Sequence, residues 1–147
     1  MEVSIRTATI HDSRSIADLS GQLGYPANEQ SIRTRLSHLI EDDKNDCVFV
    51  AKIGTKMIGW IHGFYAVRVE TDPFVEIGGL VVDEDNRGKG IGTLLIKEVI
   101  HWSRSIDCNR IRVRSNTKRQ ESHSFYLKFG FRETKEQKIF DLQLIDE

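Results

Sequence analysis

Few features of this chain stiffen it or staple it together. Of its 147 residues only two are cysteine and two proline. Cys47 and Cys108 form no CxxC pair and have no histidine at zinc-ligand spacing. That argues against a disulfide framework or a metal site and fits reduced, structural thiols. No segment approaches the roughly 18 consecutive apolar residues of a membrane span, and residues 1–10 lack the apolar stretch of a signal peptide. Neither sign of charge dominates: 21 basic residues are set against 22 acidic ones, a formal net charge of −1. A global electrostatic footprint for nucleic acid is therefore missing. These absences leave the expectation of a soluble, cytoplasmic protein with no membrane, metal or nucleic-acid partner.

What remains suffices for one compact domain over residues 1–147, with no repeat and no linker rich in Pro, Gly or Ser. Residues 3–8 alternate apolar and polar, as a half-buried strand does. Asp12 is placed to cap a helix with Ile16, Leu19 and Leu23 on one face and Gly24 as its stop. Asn28 is placed to cap a second helix, striped by Ile32, Leu36, Leu39 and Ile40. Residues 47–53 read as a strand that turns through Gly54-Thr55 into a second one, residues 56–66. The acidic runs at 41–43 and 83–85 read as solvated loops.

Residues 74–82, FVEIGGLVV, are apolar almost without alternation and predict a central strand covered on both faces. The turn Arg87-Gly88-Lys89-Gly90-Ile91-Gly92 follows, then a helix with Ile91, Leu94, Leu95, Val99 and Trp102 at helical spacing. Residues 110–115 predict another strand, and residues 120–129 a short helix ended by Gly130. Phe131 opens a last hairpin that closes with residues 139–145. The order is β-α-α-β-β-β-α-β-α-β-β, an α/β (α+β) fold: a mixed central sheet flanked by helices on both faces.

A buried strand, a glycine-rich turn and a helix together form an anion-binding device. The first helical turn offers free N–H groups and the positive end of the dipole, and glycines let a phosphate approach the backbone. Two nucleotide motifs fail here. A P-loop needs Lys-Ser or Lys-Thr at a spacing this chain lacks, and a dinucleotide fingerprint counted from Gly88 meets Thr93 where its third glycine belongs.

Arg87, Gly90 and Gly92 instead spell R-x-x-G-x-G, with Gly88 as an extra glycine, after a strand ending Leu80-Val81-Val82. This resembles the acetyl-CoA pyrophosphate loop of the Gcn5-related N-acetyltransferase (GNAT) family. Glu84 stands where that family often has proline and Asn86 where it often has an aromatic. Asn116 and then Phe125-Tyr126-Leu127-Lys128-Phe129-Gly130-Phe131 are similar to the family's C-terminal pattern. The resemblance covers nearly the whole chain.

The resemblance implies an acetyl-CoA-dependent N-acetyltransferase that acts by direct attack of an amine in a ternary complex. It implies cofactor contacts from Leu80, Val81 and Val82, from Arg87, Gly88, Lys89, Gly90, Ile91, Gly92 and Thr93, and from Asn116 and Tyr126. Tyr126 would protonate the departing thiolate, a group of pKa about 8–9 that benefits from a placed donor; its alternative is a core tyrosine. Gly78-Gly79 would mark a bulge where the fourth strand splays from the fifth. Glu76, a carboxylate inside an apolar strand, is either the general base or the structural partner of an arginine or lysine on a neighbouring strand. Lys89, Lys118, Arg119 and Lys128 are all available to the CoA 3′-phosphate. Phe125, Phe129 and Phe131 read as core, and His123 as a helix-surface residue.

The acceptor is open to a small amine, an aminoglycoside-like compound, a peptide N-terminus or a protein lysine. Residues 22–26 and 67–73 are the expected rim, and Glu70, Asp72 and Glu76 suit a small cationic amine. The alternative is a catalytically silent acyl-CoA-binding or regulatory module on the same fold. Family members often pair through C-terminal strands, so Phe140, Leu142 and Leu144 suggest a homodimer edge.

Overall fold

The computed structural model describes residues 2–24, 27–115 and 117–145. The strands are β1 (Val3–Thr7), β2 (Asp46–Ile53), β3 (Lys56–Ala66), β4 (Phe74–Val82) and β5 (Ile111–Val113). The helices are α1 (Ser13–Gly21), α2 (Glu29–Glu41), α3 (Ile91–Ser105) and α4 (Gln120–Phe129). The chain divides into two compact units, Met1–Arg114 and Ser115–Glu147.

All five strands of the first unit lie in one mixed sheet, in chain order. β1 to β4 pair antiparallel, and β5 joins β4 in parallel after the α3 crossover. Even-numbered positions of β2 turn Val48 and Val50 towards Ile16, Leu19 and Leu36 of α1 and α2. Odd-numbered positions turn to α3: a Cβ at Gly63, the partner of Cys47, would lie 3.0 Å from Val99 Cγ1. Helices therefore cover both faces, as expected. Leu95, Ile96 and Val99 of α3 are fully buried, each worth about 1.5–3 kcal/mol of apolar burial.

Helix entries follow local chemistry. Asn28 caps α2 by accepting from the Ser31 N–H at 2.7 Å. Asp12 stands at the N-cap of α1 but makes no side-chain cap there. Its carboxylate instead accepts from the Thr9 N–H and, bidentately, from Arg6 at 2.8 Å, which ties β1 to the helix start. The stripe of α2 is narrower than expected, with Ile40 exposed.

In the second unit α4 ends at Gly130, whose φ of 128° is open to glycine. Phe125, Tyr126, Phe129 and Phe131 form a chain of edge-on and tilted ring contacts, with centroids 5.4–5.6 Å apart. They are half-buried rather than the full core expected of the three phenylalanines. The expected final hairpin is not there: residues 131–145 carry no strand. Their alternating pattern supplies one apolar row, but a ladder needs a second strand to take its N–H and C=O groups. Ile139, Phe140, Leu142, Leu144 and Ile145 stand 82–90% exposed.

Candidate active site

β4 is paired on both sides only at its start. Its parallel ladder with β5 runs Val75↔Ile111, Glu76↔Arg112, Ile77↔Val113 and, among the described residues, ends there. Opposite β3 the pairing jumps from Gly63↔Ile77 to His62↔Gly79, so Gly78 is an inserted residue. The bulge expected at Gly78-Gly79 is present, and it falls where β4 and β5 part. From Gly78 to Val82 one edge of β4 has no β5 partner, leaving backbone groups for an extended ligand.

Leu80 and Val82 are half-buried and Val81 is buried in the α1–α2 core, so these residues offer backbone rather than side chains. Val82 leads through Asp83 into a short 3-10 turn, Glu84–Asn86, where the sequence predicts a solvated loop over residues 83–85. Asp83 is in fact buried, at 3% exposure. It accepts from Gln22 Nε2 at 2.9 Å and Asn86 Nδ2 at 2.7 Å, and Lys56 Nζ lies 3.7 Å away. Lys89 Nζ donates to Asn86 Oδ1 at 3.3 Å, and Arg87 Nε donates to the Val82 carbonyl at 3.4 Å. This braced turn fixes the approach to α3.

Gly88 and Gly90 have φ of 78° and 81°, conformations that cost other residues about 1–2 kcal/mol. A Cβ on either would meet nothing within 4 Å, so the space above the loop is open. Gly90 is the N-cap of α3, and its carbonyl accepts the first helical bond, from Leu94 N–H at 3.1 Å. The N–H groups of Ile91, Gly92 and Thr93 thus form the helix's opening turn, where no intrahelical acceptor exists. The Ile91 side chain itself is core. An open, glycine-lined loop at a helix N-terminus, reached along an unladdered strand edge, fits an extended pyrophosphate ligand such as acetyl-CoA.

Glu76 is buried, and its Oε1 accepts from Arg114 Nε at 3.1 Å, just beyond β5. Tyr126 belongs to the second unit, packed edge-on against Phe125 and Phe131. Burial holds its phenol above the ordinary value, with Arg119 pulling the other way. Asn116, Tyr25 and Pro26 lie outside the described residues. Cys47 and Cys108 are free and buried, and burial pushes the Cys47 thiol up to about 12, so it is protonated and unreactive near neutrality. Among the described residues no three His, Cys, Asp or Glu side chains are grouped to hold a metal.

Sequence reading missed three things. The pattern places Arg114 only within the strand expected at residues 110–115 and Gln22 only at the rim, and it gives His62 and Asp46 no role. His62 Nε2 and Asp46 Oδ1 are 2.9 Å apart across β2 and β3, and only the strand register brings them together.

Residues 15–131 match the model of the Acetyltransferase (GNAT) family. The chain belongs to that family. Solved structures agree in fold. An aminoglycoside antibiotic 6′-N-acetyltransferase from Acinetobacter haemolyticus superposes with TM-score 0.84 at 20% identity, over 96% of this chain and 99% of that one. The aminoglycoside acetyltransferase AAC(6′)-Iy, bound to a bisubstrate analogue of CoA and acetylneamine, gives 0.85 at 18%, over 98% and 100%. Glucosamine-6-phosphate N-acetyltransferase from Arabidopsis thaliana gives 0.81 at 21%, over 96% and 100%. No curated protein matches this acetyltransferase in sequence. No helix among its described residues is long and apolar enough to cross a membrane.

Proposed function

We propose that this GNAT acetyltransferase moves the acetyl group of acetyl-CoA directly to a small cationic primary amine. The observation that carries the reading is the unpaired edge of β4 running from the Gly78 bulge to the glycine loop. Acetyl-CoA supplies a thioester already activated for attack. The backbone of Leu80, Val81 and Val82 holds the pantetheine arm, one N–H facing the thioester oxygen where negative charge develops. Arg87 and the N–H groups from Gly88 to Thr93 hold the pyrophosphate, with Asn116 on the arm.

Tyr126 gives its proton to the departing sulfur, and a phenol kept protonated by burial suits a donor. Glu76 stands on the acceptor side. Its bond to Arg114 supports the structural half of its alternative, because one carboxylate oxygen is committed to the β4–β5 junction. The pH–rate profile of Glu76→Gln decides: an unchanged kcat/KM and acidic limb remove it from the base role.

Several supports favour a small acceptor. The structures similar in fold include enzymes named for aminoglycosides and for glucosamine-6-phosphate, and Glu70 and Asp72 add negative charge at the rim. We also propose that residues 1–147 work as one catalytic domain, since the family match crosses the boundary between the two units. The protein would act in the cytoplasm, as a homodimer through its exposed C-terminal apolar residues.

The test is isothermal titration of acetyl-CoA against the wild type and Gly90→Glu, followed by a thiol-release screen of amines. Micromolar binding lost in Gly90→Glu, with thiol released by a small amine, is expected. Binding without release from any amine would leave a silent acyl-CoA-binding module. No binding at all would end the reading.

A further inference from the structure

A second polar assembly stands over the bulge that the acetyl-transfer reading uses. His62 and Phe64 of β3 share the face of β4 that carries Glu76, since Phe64 pairs with Glu76. The His62 imidazole lies beside the Phe64 ring, centroids 5.6 Å apart. A Cβ placed on Gly78 would sit 2.9 Å from His62 Nδ1 and 3.2 Å from Phe64 Cε1. At Gly79 a Cβ would sit 2.6 Å from the Trp60 ring. The two glycines therefore make a floor on which the β3 imidazole and indole rest. That floor is also the point where β4 leaves β5.

Asp46 determines what His62 can do there. A carboxylate only accepts hydrogen bonds, so at 2.9 Å from Asp46 Oδ1 it is His62 Nε2 that carries the hydrogen. Nδ1 is left with its lone pair, on the side of the ring that meets Gly78. The imidazole remains 22% exposed and Asp46 17%, so the pair is sheltered yet reachable. An imidazole with one nitrogen anchored by a carboxylate and the other turned to the Gly78 bulge is the arrangement of an oriented base.

Charged groups on three neighbouring strands share its face of the sheet. Asp46 comes from β2, Glu76 from β4, and Arg112 and Arg114 from the β5 side. Arg112 lies over the Phe74 ring at 4.1 Å, and Arg114 is bonded to Glu76. Ile16, Leu19 and Leu36 of α1 and α2 pack on this face of the sheet, and further along it the Arg6–Asp12 pair lies at the β1 edge.

We infer that His62, oriented by Asp46, is the proton acceptor for the incoming amine, an assignment that rests on the acetyl-transfer reading. The substrate enters as an ammonium. His62 Nδ1 takes one proton from it, freeing the nitrogen lone pair. The C–N bond forms at the thioester carbonyl carbon and the C–S bond breaks, its electron pair leaving on sulfur. The amide nitrogen has then lost two protons in all. One ends on the departing thiol and the other reaches solvent through His62. Asp46 is a positioning residue that fixes the tautomer, and Glu76 with Arg114 holds the strand junction beside it.

The experiment compares the wild type with His62→Gln, Asp46→Asn and Glu76→Gln. Thiol release is followed over about pH 5.5–9.5 with three amine probes: neamine, glucosamine-6-phosphate and spermidine. Acetyl-CoA titration on each variant reports the fold and cofactor site separately. Nitrogen NMR of the imidazoles reads the tautomer directly. His62→Gln should lose ~10²–10⁴-fold in kcat/KM together with the acidic limb, at unchanged acetyl-CoA affinity. Asp46→Asn should lose about tenfold or more and change the His62 tautomer. Glu76→Gln should keep the acidic limb.

His62→Gln within about threefold of wild type, with its acidic limb intact, would overturn the assignment alone. So would a wild-type His62 protonated on Nδ1 and bare on Nε2. Wild-type protein that binds acetyl-CoA but releases thiol with none of the probes would overturn the acetyl-transfer reading, and the base role with it.

Discussion

Gln22 reaches across 61 positions of sequence to hold Asp83 with its side-chain N–H at 2.9 Å, while its own carbonyl takes the Glu84 N–H at 3.0 Å. One amide thus joins the end of α1 to the turn that leads into the glycine loop. The end of α1 and the approach to the glycine loop are mechanically one piece. Gln22→Ala removes both bonds, one of them to a buried carboxylate. The expected cost is ~1–3 kcal/mol of stability and roughly tenfold in acetyl-CoA affinity, read by thermal melting and by titration. Unchanged affinity would show that the loop holds its shape without the brace.

The same carboxylate makes the fold acid-sensitive. The Gln22 bond holds Asp83 below the usual carboxylate value against the pull of burial, with help from Asn86 and the Lys56 ammonium. For Asp12, burial pushes upward, but the Arg6 and Thr9 hydrogen bonds and the Arg6 charge outweigh it. A carboxylate whose folded value is depressed adds stability that is present above its unfolded value, about 3.9, and lost as pH falls through the folded one. Melting temperature should therefore fall steeply below about pH 4, and less steeply in Arg6→Ala, which starts lower near neutrality. Parallel curves for the two proteins would rule out the Arg6–Asp12 pair as a contributor.

Glu76 and Arg114 give a separable test. Arg114→Met strands a buried carboxylate, an expected loss of about 1–3 kcal/mol given the half-exposed guanidinium. Adding Glu76→Gln should recover part of that loss in urea unfolding, because the neutral amide needs no countercharge. Additive losses would mean that the pair is not coupled.

Much of this architecture was legible in the sequence because local chemistry and periodicity agreed. The run Phe74–Val82 had the length, apolar content and flanking turns of a central strand, and it is one. Gly88 and Gly90 stood where the backbone turns left-handed, and Asn28 where a helix needed a cap. What escaped were partnerships set by register. Asp46 and His62 are 16 positions apart and meet only because β2 and β3 pair as they do. Asp83 looked like one member of an acidic loop because two of its partners, the Gln22 amide and the Lys56 ammonium, come from distant elements. The final hairpin failed for the opposite reason: alternation in residues 139–145 describes a row of side chains, not the strand that must pair with it.

Gly79 tests the bulge. An added methyl would fall 2.6–2.8 Å from the Trp60 ring, whose indole N–H is buried without a partner among the described residues. Gly79→Ala must shift that ring, at an expected ~1–3 kcal/mol, and disturb the floor beneath His62. Turnover should fall more than acetyl-CoA affinity, since the glycine loop is untouched. Equal losses in both would place the damage in the fold as a whole.

The C-terminal segment carries the last prediction. Ile139, Phe140, Leu142, Leu144 and Ile145 stand between 82 and 90% exposed, in a stretch with no strand partner of its own. Five exposed side chains of this size within seven positions are costly for a monomer in water, and at ~25 cal/mol per Å² their burial would favour association. An alternating segment with open backbone groups is also suited to pairing with its copy in a second chain, as a symmetric dimer requires. Light scattering should give twice the mass of the 16.9 kDa chain. Phe140→Asp combined with Leu142→Asp should give a monomer that still binds acetyl-CoA, because the glycine loop and β4 are untouched. A wild-type chain that stays monomeric at high micromolar concentration would sink the dimer, and a monomeric variant without acetyl-CoA binding would show that the segment supports the fold instead.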